Sequence, residues 1–144
     1  MRPLDFYFYA VRLAADATTE AEYRSAISRL YYGLHHEACC RYFRSHTGAA
    51  PLVRGRRHSE LRERIHTLQS PTSSDISKAL GMLMRIREQA DYEIGSPIRI
   101  GSMAPDQTLA QALILAKELL TALDRYSPGA APDRCRCPVV WSAR

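Results

Sequence analysis

Long runs of apolar residues are missing from this sequence. None approaches the roughly 18 residues that a membrane-spanning helix needs, and Asp5 and Arg12 interrupt the first segment, MRPLDFYFYAVRLAADA, which lacks the layout of a signal peptide. No segment alternates apolar and polar residues in the way of a half-buried strand. These absences exclude a membrane-spanning protein and a β-rich fold, and we expect a cytoplasmic protein without a membrane partner.

Cysteine is also scarce, with only Cys39, Cys40, Cys135 and Cys137 in the chain. Neighbouring cysteines on a helix point in different directions, and Cys-x-Cys without a matching second pair is a weak zinc signature. We therefore expect reduced structural thiols, and we predict neither a metal site nor a cofactor. The final stretch, SPGAAPDRCRCPVVWSAR, is broken by proline and glycine. It predicts a flexible tail over residues 128–144, after one domain over residues 1–127.

The pattern that fills the rest of the chain is helical. The 144 residues are 46% hydrophobic and 24% charged, which is typical of one globular domain with its own core. Apolar residues recur at three- and four-residue steps in five segments. These predict helices over about residues 4–15, 19–45, 74–91 and 107–126, and a short third helix that carries Leu61, Ile65 and Leu68. We predict an all-α fold, an up-down helical bundle, with Phe6 and Leu68 among its core residues.

The net charge is +5 and the isoelectric point is about 9.2. Much of the excess lies in RGRRHSELRERIH, from Arg54 to His66. This balance is compatible with an acidic partner such as RNA. The stretch fits two interpretations, a solvated helix start or a patch that contacts phosphates.

An arginine lies on the apolar face of the fourth predicted helix. At about 100° per residue, Arg87 falls within the apolar stripe, whereas Arg85 points the opposite way. The stripe is formed by Ile76, Leu80, Leu83 and Ala90. A buried guanidinium keeps its proton and needs a partner, because its desolvation costs several kcal/mol. Asp91, four residues on, would supply a structural pair. Alternatively Arg87 binds a phosphate bidentately.

The second predicted helix has two unlike faces. One is apolar, and the other carries Arg29, Tyr32, His36 and Cys40. A histidine in such a place is either a satisfied structural residue or part of a site. A helix with two such faces is typical of one that packs on the bundle on one side and borders an interface or a site on the other.

Three segments together resemble the small single-domain bacterial and archaeal branch of the HEPN superfamily. They are SRLYYGLHHEA (Ser28 to Ala38), RHSEL (Arg57 to Leu61) and RIREQADY, and the resemblance covers about residues 5–127. It implies a helical bundle that dimerises. It often implies a metal-independent ribonuclease, in which Arg-x4–6-His motifs of two protomers form a composite site. In such enzymes the 2′-hydroxyl of RNA attacks the adjacent phosphate and leaves a cyclic phosphate end.

Carried over by position, the resemblance makes Arg87 the motif arginine and Glu88 the polar residue that follows it. Tyr92 stands where the motif histidine would be. A histidine titrates near neutrality, but a tyrosine, with an ordinary pKa of about 10, is a poor base at pH 7. His36 is therefore the expected replacement base, and His58 is the next choice. A helix that continued past Tyr92 would place it about 140° from Arg87, so we expect the helix to end near Asp91.

Taken with this resemblance, the candidate catalytic residues are Arg87, Tyr92, His36 and Asp91, and the candidate RNA- or nucleotide-binding residues are Arg29, Tyr32, His58 and Glu88. Related toxins have a small nucleotidyltransferase antitoxin that attaches nucleotides to a tyrosine near the motif. Tyr92 is a candidate acceptor, although that pattern keeps the histidine and places the tyrosine two residues beyond it. We expect a homodimeric endoribonuclease toxin of a toxin–antitoxin or defence system. The alternatives are a non-catalytic nucleotide- or RNA-binding regulatory module and a helical assembly protein.

Overall fold

The computed structural model describes residues 2–129 and 139–140 and has five helices in this part of the chain. They are α1 (Pro3–Asp16), α2 (Glu20–Ser45), α3 (Arg57–His66), α4 (Pro71–Tyr92) and α5 (Pro105–Tyr126). Two short strands, β1 (Leu52–Val53) and β2 (Val139–Val140), pair in parallel. The prediction of an all-α bundle is confirmed. No helix in the described part is long and apolar enough to cross a bilayer.

Helix α2 is the centre of the bundle and contacts all four other helices. It begins at a capping box, as the sequence predicts: the Thr19 hydroxyl accepts from the Glu22 backbone N–H at 3.4 Å, and the Glu22 carboxylate accepts from the Thr19 N–H at 2.9 Å. Its apolar face is at most 1% exposed, and consists of Ile27, Leu30, Leu34 and Ala38. This face forms the middle of the hydrophobic core.

Helix α1 passes close to α2 at Gly33. A Cβ atom on this glycine would lie 2.9 Å from the Tyr7 backbone nitrogen and 3.0 Å from the Pro3 carbonyl oxygen. The prediction that Phe6 belongs to the core is wrong, because Tyr7 is buried there and Phe6 is 37% exposed. The rest of the inward face agrees with the helical pattern, because Ala10 is 1% exposed and Leu13 and Ala14 pack against the core.

The third helix is short, as predicted, but it does not include Leu68. It ends at His66, and Leu68 is 36% exposed in the turn that follows. Gln69 in this turn has a positive φ of 52°, which a continuing helix does not allow. Ser70 then caps α4, since its hydroxyl accepts from the Ser73 N–H at 3.0 Å.

The inward stripe of α4 agrees with the sequence pattern. Arg87 is 5% exposed among buried aliphatic residues, and Arg85 is exposed. The core then extends to the segment after α4, where Ile98 is fully buried. The arginine that the pattern singled out is therefore the buried one.

Both cysteines of α2 are disulfide-bonded. The expectation of reduced thiols at Cys39 and Cys40 is wrong, because a disulfide depends on proximity in the folded chain, which cysteine spacing does not reveal. Two residues of the segment predicted as a tail, Val139 and Val140, form β2. At the start of that segment, the carbonyls of Pro128 and Gly129 accept hydrogen bonds from Arg44 Nη2 at 3.0 and 2.8 Å. The rest of that prediction, with Cys135 and Cys137, falls on residues 130–138 and 141–144, outside the described residues.

Candidate functional site

The Arg87 guanidinium lies inside a cage of three tyrosines. Its central carbon is 5.1 Å from the Tyr31 ring centre, 5.4 Å from the Tyr32 ring and 5.6 Å from the Tyr92 ring. Its Nη1 also donates to the Tyr92 hydroxyl at 3.3 Å. Cation–π contacts of this kind stabilise a desolvated charge. The tyrosine cage (Tyr31, Tyr32 and Tyr92) thus explains how a cation remains on the apolar stripe.

Asp91 is the nearest anion to this guanidinium. Its Oδ2 lies 3.6 Å from Arg87 Nη1, which is within ion-pair distance but long for a hydrogen bond. The Arg87 Nε atom is buried and has no hydrogen-bond partner among the described residues. The structural pair considered from the sequence therefore exists, but it leaves part of the donor capacity of the arginine unused.

His58, at the start of α3, is held against the same cage. Its Nδ1 is 2.8 Å from the Tyr31 hydroxyl, and its Nε2 is 3.5 Å from Arg57 Nε. Because an arginine only donates, this contact favours the tautomer with an unprotonated Nε2 and an Nδ1–H directed at Tyr31. Burial, with Arg57 and Arg87 nearby, lowers the pKa of His58 to about 4. The imidazole is therefore neutral at pH 7.

Two further histidines lie behind His58. The His35 ring centre is 4.2 Å from that of His58 and 5.8 Å from that of His36. His35 is 2% exposed, and burial lowers its pKa well below the ordinary value. Burial lowers the pKa of His36, and the positive charge of Arg57 lowers it further. Within residues 2–129 and 139–140, no group of three His, Cys, Asp or Glu residues is arranged to hold a metal ion.

A cavity of about 340 Å³ opens beside Arg87. Its lining includes Tyr32, His58, Ser59, Arg87, Glu88 and Tyr92. The structure thus brings five of the candidate residues into one cavity, and Asp91 contacts Arg87 beside it. We name it the arginine cavity.

Three candidate residues do not line the arginine cavity: Asp91, which contacts Arg87 beside it, Arg29 and His36. Arg29 lies over the Tyr9 ring, 5.6 Å from its centre, and donates to the Ser25 carbonyl at 3.3 Å. His36 forms a group with His35 and His58 (the histidine group), but of these three it is His58 that lines the cavity. His58 is accordingly the better-placed base of the two. His35 was missed at the sequence level, although its four-residue spacing from Tyr31 is a signal that would have placed it beside the cage.

Helix α4 ends at Tyr92, one residue after Asp91, near which we expected it to end so that Arg87 and Tyr92 could share a site. Arg24 of α2 holds this end in place: its Nη1 donates to the carbonyls of Gln89 at 2.8 Å and Ala90 at 3.2 Å, and its Nη2 donates to those of Glu93 and Ser96. The Gln89 carbonyl also accepts from the Glu93 N–H at 3.1 Å, and the Glu93 carbonyl accepts from the Ser96 N–H at 3.2 Å. The guanidinium thus supplements the backbone donors and acts as a C-terminal cap. The long side chains of Arg87 and Tyr92 then meet although Tyr92 is still helical.

A larger cavity, of about 540 Å³, lies between α4 and α5. Its lining mixes both charges, from Lys78, Lys117, Arg125, Asp75 and Glu118, around the apolar Met82 and Leu115. It contains neither a histidine nor a buried arginine. The arginine cavity is the smaller of the two, but it is the one whose lining carries a histidine and a buried arginine.

In comparisons with known proteins, no family model, no curated protein and no solved structure matches this chain.

Proposed function

We propose that this protein is a HEPN-type, metal-independent endoribonuclease that acts on RNA at the arginine cavity. The observation that carries the proposal is the position of Arg87, a guanidinium only 5% exposed, in the lining of the same cavity as the neutral imidazole of His58. The order of the motifs that resemble the HEPN superfamily adds to it.

In this proposal Arg87 binds the scissile phosphate. Its planar fork matches two phosphate oxygens. The tyrosine cage holds the guanidinium in place before RNA arrives, and the low polarity around it strengthens its attraction for the charge that develops on the phosphate. Asp91 orients Arg87 from one side, at 3.6 Å, without occupying all its donors.

His58 is the proposed base. Its Nε2 accepts the proton of the ribose 2′-hydroxyl as the 2′-oxygen bonds to the adjacent phosphorus. The bond from phosphorus to the 5′-oxygen breaks, and that oxygen takes a proton from water. The products are a 2′,3′-cyclic phosphate and a 5′-hydroxyl, and His58 returns its proton to solvent. No metal is needed for these steps.

Cleavage of a labelled single-stranded RNA in EDTA, with the product ends identified by mass spectrometry, tests the proposal. Arg87→Ala should lower the rate about a hundredfold or more, and His58→Ala should lower it about a hundredfold. Arg85→Ala is the matched control, because Arg85 is exposed on the same helix. The proposal fails if the wild-type chain leaves the RNA intact, or if Arg87→Ala cleaves as fast as the control.

A second candidate function is binding of RNA or a nucleotide without cleavage. It is favoured by the pKa of about 4 at His58, since so weak a base gives little catalytic help at pH 7. The tyrosine in place of the motif histidine points the same way. RNA binding that Arg87→Ala abolishes, without any cyclic phosphate product, would establish this function. If Arg87→Ala changed only the melting temperature and self-association, the assembly role would remain.

The proposal includes a homodimer. The side chain of Ile94, two residues after the end of α4, is 80% exposed, and a second copy would remove it from water. Sedimentation of the wild-type chain and of Ile94→Glu tests this. Mixing Arg87→Ala with His58→Ala chains would restore cleavage only if the arginine and the imidazole of one site come from different protomers.

A nucleotidyltransferase partner is a further part of the proposal, with Tyr92 as acceptor. The high exposure of Tyr92 makes its side chain accessible to another protein. Co-expression with such a partner should add nucleotide mass to the intact chain, and Tyr92→Phe should prevent the addition. An unchanged mass in the wild-type chain would remove this partner from the proposal.

A further inference from the structure

We infer that the arginine cavity selects a guanine base next to the bound phosphate, with Tyr92 stacking on the base and Glu88 accepting its two edge donors. The inference rests on the proposed function, in which Arg87 binds the phosphate. It adds the class of base and the residues that recognise it.

The two residues that would recognise the base lie on one face of α4. Glu88 and Tyr92 are four residues apart, so their side chains are neighbours about 5–6 Å apart at Cβ. Met84, four residues before Glu88, continues the same row, and all three line the arginine cavity. A flat ring lying along this row would contact all three side chains, with its phosphate towards Arg87.

Tyr92 has the properties of a stacking residue. Its side chain is 71% exposed, yet its hydroxyl accepts from Arg87 Nη1 at 3.3 Å, which holds the ring at the edge of the cavity. Aromatic rings beside a basic groove stack on the bases of single-stranded nucleic acids. The same contact with Arg87 links the base position to the phosphate position.

Glu88 decides which base fits. It lines the cavity and forms no ion pair or hydrogen bond with another described residue, so its two oxygens remain free to accept. An ionised carboxylate only accepts hydrogen bonds and repels a phosphate, so a ligand that tolerates it must offer donors there. Guanine presents two adjacent donors, N1–H and the N2 amino group, which match the two oxygens. Adenine and cytosine place one amino donor beside an acceptor, and uracil places one N–H between two carbonyls.

Titration calorimetry tests the inference by measuring how tightly the full chain binds GMP, AMP, CMP, UMP and inorganic phosphate. We expect GMP to bind about tenfold more tightly than the other three nucleotides, in line with a good bidentate contact. Glu88→Gln should remove this preference while phosphate binds at least as tightly. Tyr92→Leu should weaken all four nucleotides more than it weakens inorganic phosphate, because it removes both the stacking ring and one wall of the tyrosine cage, and Tyr92→Phe should keep the stacking contribution.

Glu118→Gln is the matched control, because Glu118 lines the separate cavity between α4 and α5. Equal binding of the four nucleotides, with phosphate binding that Arg87→Ala abolishes, would overturn the guanine inference and leave the proposed function standing. Absence of any phosphate or nucleotide binding that depends on Arg87 would overturn both. Thermal melting of each variant shows that it is folded.

Discussion

The Tyr31 hydroxyl and His58 Nδ1 lie 2.8 Å apart, and this contact joins the middle of α2 to the first turn of α3. Tyr31 also contacts the Arg87 guanidinium through its ring. One tyrosine thus positions the proposed base with its hydroxyl and the proposed phosphate ligand with its ring.

Tyr31→Phe removes only the hydroxyl contact. We expect a loss of about 1 kcal/mol in the free energy of unfolding, and slower RNA cleavage, because His58 Nδ1 loses the hydrogen bond that orients the ring. Urea denaturation and the cleavage assay measure the two effects.

Tyr126→Phe is the matched control for this variant, since the Tyr126 hydroxyl contacts His46 Nδ1 at 3.1 Å, between residues that do not line the cavity. Its stability should fall similarly, with cleavage unchanged. Equal cleavage by the two variants would show that Tyr31 does not act through His58.

The histidine group should make the fold sensitive to mild acid. The folded-state pKa of His58 is about 4, and burial also lowers the pKa of His35 and His36 from 6.5. The unfolded chain therefore binds more protons below about pH 6.5, and stability is lost as the pH falls from there towards 4.

Measuring the free energy of unfolding at several pH values checks this dependence. The free energy of unfolding of His58→Gln should fall less steeply between pH 6.5 and 4.5 than that of the wild-type chain. The stability that Glu22 contributes is lost at a lower pH, because hydrogen bonds from Thr18 and Thr19 lower the pKa of its carboxyl group below 4.5. An unchanged slope in His58→Gln would show that this imidazole is already exposed in the folded protein.

Gly33→Ala should destabilise the contact between α1 and α2. The added methyl group would meet the backbones of Tyr7 and Pro3 at 2.9 and 3.0 Å, so we expect a cost of about 1–3 kcal/mol. Thermal and urea unfolding measure it. Gly95→Ala is the control, because nothing lies within 4 Å of a Cβ atom there. Similar stabilities for the two variants would contradict the close packing at Gly33.

Cys39 and Cys40 should resist alkylation without a reductant and react after reduction under denaturing conditions, because both are disulfide-bonded. Peptide mapping of the purified chain checks this. Reduction should destabilise the fold by about 2–4 kcal/mol. Disulfides persist mainly in oxidising compartments, so alkylation inside intact cells also tests the proposed cytoplasmic location. Reaction of both thiols in the native, unreduced chain would contradict the disulfides.

Local periodicity predicted the five helices and the burial of Arg87, because both depend on residues close in the sequence. In the first turns of α1, Tyr7 and not the neighbouring Phe6 is buried, and the aromatic character of both residues does not distinguish them. The contact of Tyr31 with His58 depends on how α3 packs against α2, which no spacing within either segment encodes. For the same reason His36 ranked above His58, although only His58 lines the cavity.

The guanidinium of Arg24 binds the carbonyls at the end of α4, and its Glu20 partner also accepts from the Ile98 N–H at 3.3 Å. The end of α4, which carries Tyr92, is therefore held in place by contacts that lie outside the arginine cavity. Its conformational entropy is already lost in the unliganded fold, so an incoming nucleotide meets a preorganised surface, and little of the binding free energy is consumed in ordering it.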